Sequence, residues 1–193
     1  MFLKTNLLNR LMKQAYAGGR LIVARRGDWI YLSGSYWEIE AEKGYISKKT
    51  MGDLISLIGE LPEDKERFRA GKDGNQMEME TPMGIGTDLF DPRNRLTVTN
   101  LILLHQNGVE QRILQDADTG SLYLLNNLFV DMVDNKCIEE GKGESYVLDR
   151  PMFHPNLGVL WDNGICRLHA AFRDSEEILD SLQGISLIPE VKR

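Results

Sequence analysis

Three histidines and two cysteines hold most of the acid–base and nucleophilic potential of this chain: His105, His154, His169, Cys137 and Cys166. His154 stands between Pro151 and Pro155, with Asp149 and Asp162 near it in sequence. A loop histidine oriented by a carboxylate can serve as a general base. A small hydrolase using His154 with Asp149 or Asp162 is therefore one reading, against the commoner role of a loop histidine that makes one structural hydrogen bond. Cys166 and His169 lie three apart in a predicted strand, which sends their side chains to opposite faces. That spacing argues against a Cys–His dyad and against shared metal ligation. His105 adjoins the apolar run Leu101–Leu104 and reads as structural.

Metal and phosphate patterns are equally sparse. Two cysteines without a CxxC are too few for a structural zinc site and fit free thiols in a reducing compartment. Glu38, Glu40 and Glu42 alternate along one strand face and read as a solvated edge, because hard-metal sites need oxygens converging from separate segments. Asp116, Asp118 and Gly120 begin like a calcium loop, but the twelfth position counted from Asp116 is Asn127, so a turn is expected. Gly84-Ile85-Gly86 has no helix behind it to receive a phosphate. The expectation is a non-enzymatic chain with no catalytic residues, no metal ligands and no cofactor.

The remaining chemistry is electrostatic. The net charge of −6 hides an asymmetry: residues 1–50 hold nine Lys or Arg against four acids, and the other 143 residues hold fourteen against twenty-five. A locally basic portion can hold a polyanion even in an acidic protein, since the local field decides. In the predicted helix Asn6–Ala17, Leu7, Leu8, Leu11, Met12 and Ala15 share one face, and Asn6, Asn9, Arg10 and Lys13 share the other. A polar face with cations, amides and no acids suits phosphates as well as it suits solvent. Trp29, Tyr31, Tyr36 and Trp37 cluster near Arg25 and Arg26. They read as core, with stacking on single-stranded bases as the other use of such a cluster.

The elements that must position these residues follow from pattern and punctuation. Thr5 or Asn6 is expected to cap the first helix and Gly18 to end it. Arg20–Arg26, Trp29–Gly34 and Tyr36–Glu42 read as three antiparallel strands, with Gly27 allowing the first tight turn. Tyr45–Ser47 reads as a short extended piece. The second helix, Lys48–Leu61, places Met51, Leu54, Ile55, Ile58 and Leu61 on one face and Lys49, Asp53, Ser56 and Glu60 on the other. Phe68–Ala70 and Gln76–Thr81 read as strands, and Pro82–Asn94 as a loop. Asn107-Gly108 marks a hairpin between Leu96–Gln106 and Val109–Gln115. Ser121–Leu125 reads as a strand, followed by a helix capped by Asn126 or Asn127. Leu157–Trp161 and Ile165–Phe172 form another hairpin, and Asp174 with Glu177 begins a last helix.

The fold class expected is α+β, with antiparallel sheets packed against two or more amphipathic helices. The loop at 82–94 divides the chain into 1–94 and 95–193. No apolar run reaches the ~20 residues of a membrane span, and no signal peptide is legible, so a cytoplasmic protein without a membrane partner is expected.

The order of elements in residues 1–62 resembles the first domain of the bacterial DNA sliding clamp, the polymerase processivity ring. The similar text is the run from Leu21 to Ser35, the alternating Trp37–Glu42 strand and the helix ending in Glu60-Leu61-Pro62. Met1–Glu42 looks like one strand–helix–three-strand unit, and residues 45–61 look like the start of a second. The resemblance implies helices facing a nucleic-acid channel, with Arg10 and Lys13 on the phosphate backbone and Arg20, Lys48 and Lys49 near the helix ends. It implies double-stranded DNA or replication proteins as partners, and a homo-oligomer. The departures are that 193 residues are too few for a three-domain clamp subunit and that the second unit turns irregular after Arg67. A divergent relative of phage or mobile-element origin accounts for them. The alternative reading is an acidic protein-interaction or assembly module that binds no DNA.

Overall fold

The computed structural model describes residues 1–78, 84–105, 108–134, 150–173, 177–182 and 185–187. In chain order these form α1 (Thr5–Ala17), β1 (Leu21–Arg26), β2 (Trp29–Ser33), β3 (Trp37–Glu42), α2 (Lys48–Ile58), β4 (Arg67–Gly71) and β5 (Gly74–Met77). Then follow β6 (Leu96–Leu104), β7 (Glu110–Asp116), β8 (Leu122–Asn126), α3 (Asn127–Met132), β9 (Met152–His154), β10 (Gly158–Asp162), β11 (Cys166–Ala170) and α4 (Glu177–Leu182). The strands make an eight-stranded sheet, ordered β5-β4-β1-β2-β3-β11-β10-β9, and a three-stranded sheet, β6-β7-β8. Every pairing is antiparallel. The fold is α+β, mostly sheet with helices packed on it.

Period-two patterning explains why the large sheet is covered on both faces. Leu21, Val23, Ile30, Leu32, Ile39 and Ala41 point to the face under α1 and α2, where Leu8, Leu11, Met12, Leu54 and Ile58 meet them. Each Val, Leu, Ile or Met among them taken from water stabilises the fold by about 1.5–3 kcal/mol. Ala24, Tyr31, Met152 and Leu160 point to the other face and are covered by Ile85 and Phe90.

Residues from both sides of position 94 pack together. Strand β3 pairs with β11, Leu168 lying opposite Ile39. One cluster holds Leu32 and Leu54 together with Leu114, Leu125, Trp161 and Leu168. The chain start is tied to α3 as well, through Leu3 bridging Val133 and the Lys4 amide donating to the Met132 carbonyl at 2.9 Å.

Several local expectations are corrected. Helix α1 begins at Thr5, so Lys4 is its N-cap and makes no side-chain cap. The left-handed residue that turns the chain is Gly19, at φ 64°, rather than Gly18. Helix α2 stops at Ile58, with Gly59 as its cap, and Ser47 accepts from the Thr50 amide at its start. Of the extended piece expected at Tyr45–Ser47, Tyr45 instead closes a 3₁₀ turn that begins at Lys43, while Ile46 and Ser47 have extended backbone. Strand β9 was not expected at all: three residues between two prolines are too short to show a period. The hairpins β1–β2, β6–β7 and β10–β11, strand β8 and the Asn126 cap of α3 stand where the pattern placed them. Asn107 and Asp174 lie outside the described residues.

Candidate nucleic-acid interface

Helices α1 and α2 lie side by side on the sheet, and their outer edges frame a groove of about 520 Å³. Asn6, Arg10, Lys13, Gln14 and Ala17 line it from α1, at the three- and four-residue spacing that keeps side chains on one helical stripe. Lys49 and Asp53, four apart, line it from α2. Three of these side chains are cations and one is a carboxylate. Arg10, Lys13, Lys48 and Lys49 are all exposed. Lys48 and Lys49 open α2 without an acid in its first turn. The partial positive charge of a helix N-terminus therefore adds to theirs instead of being neutralised.

Asp53 is the groove's counterweight. Its carboxylate accepts from the Asn9 amide nitrogen and lies 3.8 Å from the Lys13 ammonium. The Lys13 side chain remains 59% exposed, and an exposed pair of this kind is worth at most about 1 kcal/mol. The ammonium is therefore readily exchanged to a phosphate. Arg10 makes no ion pair among the described residues. Asn9 was expected on the outer face of α1 but is buried at 5% exposure. The approach of α2 covers it, and the bond to Asp53 holds it.

Arg20 is not brought to this groove. It lies past the end of α1, in a separate hollow of about 340 Å³ shared with Gln14, Ser35, Tyr36, Trp37 and Phe129. Its guanidinium donates to the Ser35 hydroxyl at 3.2 Å. Among the aromatics, Tyr31 and Trp37 are core at 1% and 6% exposure, and Tyr36 is exposed beneath the Arg173 guanidinium, 5.2 Å from its ring. Trp29 is half-buried under Arg167, at 4.8 Å.

The opposite face of the large sheet holds a polar network that sequence reasoning took for a solvated edge. Glu40 is fully buried. It accepts from Arg26 at 3.1 Å and from Arg167 at 2.9 Å, and Arg167 also reaches Asp162 at 3.1 Å. Beside it, Glu38 accepts from the Tyr31 hydroxyl at 2.7 Å and bonds His169 Nδ1 at 2.9 Å. His169 Nε2 faces the Leu157 carbonyl at 3.1 Å. Both ring nitrogens thus face oxygen atoms, which fixes the ring between β3 and the Leu157 turn. Burial acts to raise the Glu38 pKa, but the His169 and Tyr31 bonds outweigh it and hold the carboxyl below its ordinary value. Burial, reinforced by Glu38, pushes the Tyr31 phenol up.

The register explains the correction: β11 sets Arg167 opposite Glu40 and His169 opposite Glu38, so each acid meets a hydrogen-bonding partner across the ladder. The signal available in the sequence was the matching alternation Arg167, His169 against Glu38, Glu40. Phe90 lies edge-on to His169 at 5.6 Å. Gly84 sits so close over Glu40 that a Cβ there would stand 2.8 Å from its carboxylate oxygen. The Gly84 backbone and the Phe90 ring lie against the network, which ties β3 to β11.

The hydrolase residues do not come together. His154 ends β9 opposite Gly158, and Asp162 lies four residues further along β10, about 14 Å away at ~3.4 Å per residue. Asp162 is held by Arg167 and the Gly164 amide, and Asp149 is outside the described residues. Cys166 is buried on the core face, away from His169, and burial pushes its thiol up to about 12. Cys137 is outside the described residues. Asp116 closes a turn, accepting from the Asp118 amide and the Thr119 hydroxyl. Among the described residues no group of three or more His, Cys, Asp or Glu is placed to hold a metal, and no helix is long and apolar enough to cross a membrane.

No family model matches the chain, no curated protein matches it, and no solved structure matches its fold.

Proposed function

We propose that this protein is a non-enzymatic, nucleic-acid-associated protein that holds double-stranded DNA along the groove between α1 and α2, in the manner of a sliding-clamp domain. The observation that carries the reading is the convergence of Arg10, Lys13 and Lys49 from two helices on one groove; Lys48, exposed at the start of α2, is not among the lining residues. A DNA backbone is held by such cations through release of its condensed counterions, with no covalent chemistry. The basic excess of residues 1–50 supports it too, since α1 and the start of α2 come from that portion of a chain that is acidic overall. Replication proteins and a cytoplasmic setting belong to the same reading.

The test is duplex binding measured across a salt series. Arg10→Glu with Lys49→Glu removes two phosphate contacts. It is expected to weaken binding at least about tenfold and to flatten the log–log salt slope by about 2. Unchanged affinity and slope in the double variant would remove the groove from consideration. The competing reading, an assembly module, draws on a different surface: the exposed apolar residues of β6.

A further inference from the structure

Among the described residues β6 is an edge strand, and it carries neither the charges nor the proline that usually protect an edge. Among the described residues its only strand neighbour is β7. Its first residue is occupied on the outer side, where the Leu96 amide donates to the Pro151 carbonyl. Beyond that point no described strand pairs with its outer side, although the Leu101 amide turns back to the Thr99 hydroxyl within the register shift. Leu101 and Ile102 are 44% exposed and Leu104 is 72% exposed. No residue from Leu96 to Leu104 is charged, and none is proline. Long apolar edges without lysine or proline are templates for another strand.

We propose that β6 pairs antiparallel with β6 of a second copy of this chain, joining two three-stranded sheets into one of six strands. Strand β6 is complementary to itself. Its register on β7 shifts between Val98 and Ile102, and beyond the shift Ile102 lies opposite Arg112 and Leu104 opposite Glu110. A two-fold axis at Leu103 sets Ile102 against the partner's Leu104 and Leu104 against the partner's Ile102. Each cross-strand row then runs Glu110, Leu104, the partner's Ile102, the partner's Arg112. An acid at one end and a base at the other bracket two apolar side chains, and no row brings like charges together. Symmetric self-pairing of this kind needs no other component. The α1–α2 groove plays no part in the pairing, so the two proposals stand or fall separately.

Light scattering on the full chain from about 1 to 100 μM tests the pairing, a range in which a small specific interface dissociates. The wild-type chain is expected to move from monomer to dimer. Ile102→Lys with Leu104→Lys is expected to stay monomeric, with an unchanged circular dichroism spectrum because both side chains are exposed. If that double variant does not fold, Leu104→Lys alone gives the same readout at the more exposed position. Arg10→Glu with Lys49→Glu is expected to dimerise as wild type does. A wild-type chain that remains monomeric throughout, or a folded lysine variant that still dimerises, would overturn the proposal.

Discussion

Glu40 is the residue whose environment departs most from what its type suggests. A buried carboxylate survives only when paired and hydrogen-bonded, and here two guanidinium groups satisfy it. Glu40→Ala leaves Arg167 with Asp162 alone. We expect a loss of about 3 kcal/mol in urea denaturation, the low end for breaking a buried pair because Arg167 keeps one partner. Glu38 adds a pH dependence. Its pKa is depressed in the folded state, so its contribution is fully present above the ordinary carboxylate value and is lost as pH falls through the depressed one. Wild type should therefore lose stability more steeply than Glu38→Gln as pH falls below about 4.3. Parallel slopes for the two proteins in acid would refute this assignment.

At the scale of elements, the β10–β11 hairpin rests on one close approach. Gly158 adopts φ 128°, and a Cβ there would stand 2.1 Å from the Ala170 carbonyl oxygen. The contact is with backbone, so no rotamer change relieves it. Gly158→Ala is expected to cost about 3 kcal/mol or more. A urea midpoint near that of wild type would show that the hairpin shifts to accommodate the methyl group. The pairing of α1 with α2 is softer, because Asn9 and Lys13 meet Asp53 through polar contacts over a shared apolar floor.

For the molecule as a whole, the proposals assign separate surfaces to separate tasks. The helical layer offers cations and the small sheet offers an uncharged edge. The reverse face of the large sheet is closed by Ile85 and Phe90. Asp53 limits the helical layer, being the one carboxylate among the groove's lining residues. Asp53→Asn keeps an acceptor for Asn9 and removes that charge. Duplex affinity is expected to rise about threefold at low salt, the effect of one charge some 7 Å from a phosphate in water. An unchanged or weakened affinity would count against phosphates lying in this groove.

The sequence by itself determined the local elements and the fold class, because those depend on short-range periodicity and on turn residues. The α1 stripe, the Gly27 turn, the Asn126 cap and the β10–β11 hairpin were all legible within windows of a dozen residues. Arg10, Lys13 and Lys49 were legible as exposed cations. Their meeting in one groove, and the exclusion of Arg20 from it, were decided by how α1 and α2 pack. The burial of Glu40 was decided by strand order: Arg167 comes 127 residues after it in the chain, and only the β3–β11 pairing sets the two side by side. The exposed edge of β6 was likewise invisible, since a strand becomes an edge only when the sheet is assembled without a neighbour for it. Local pattern encodes which face of an element is apolar, whereas tertiary contacts determine what that face meets.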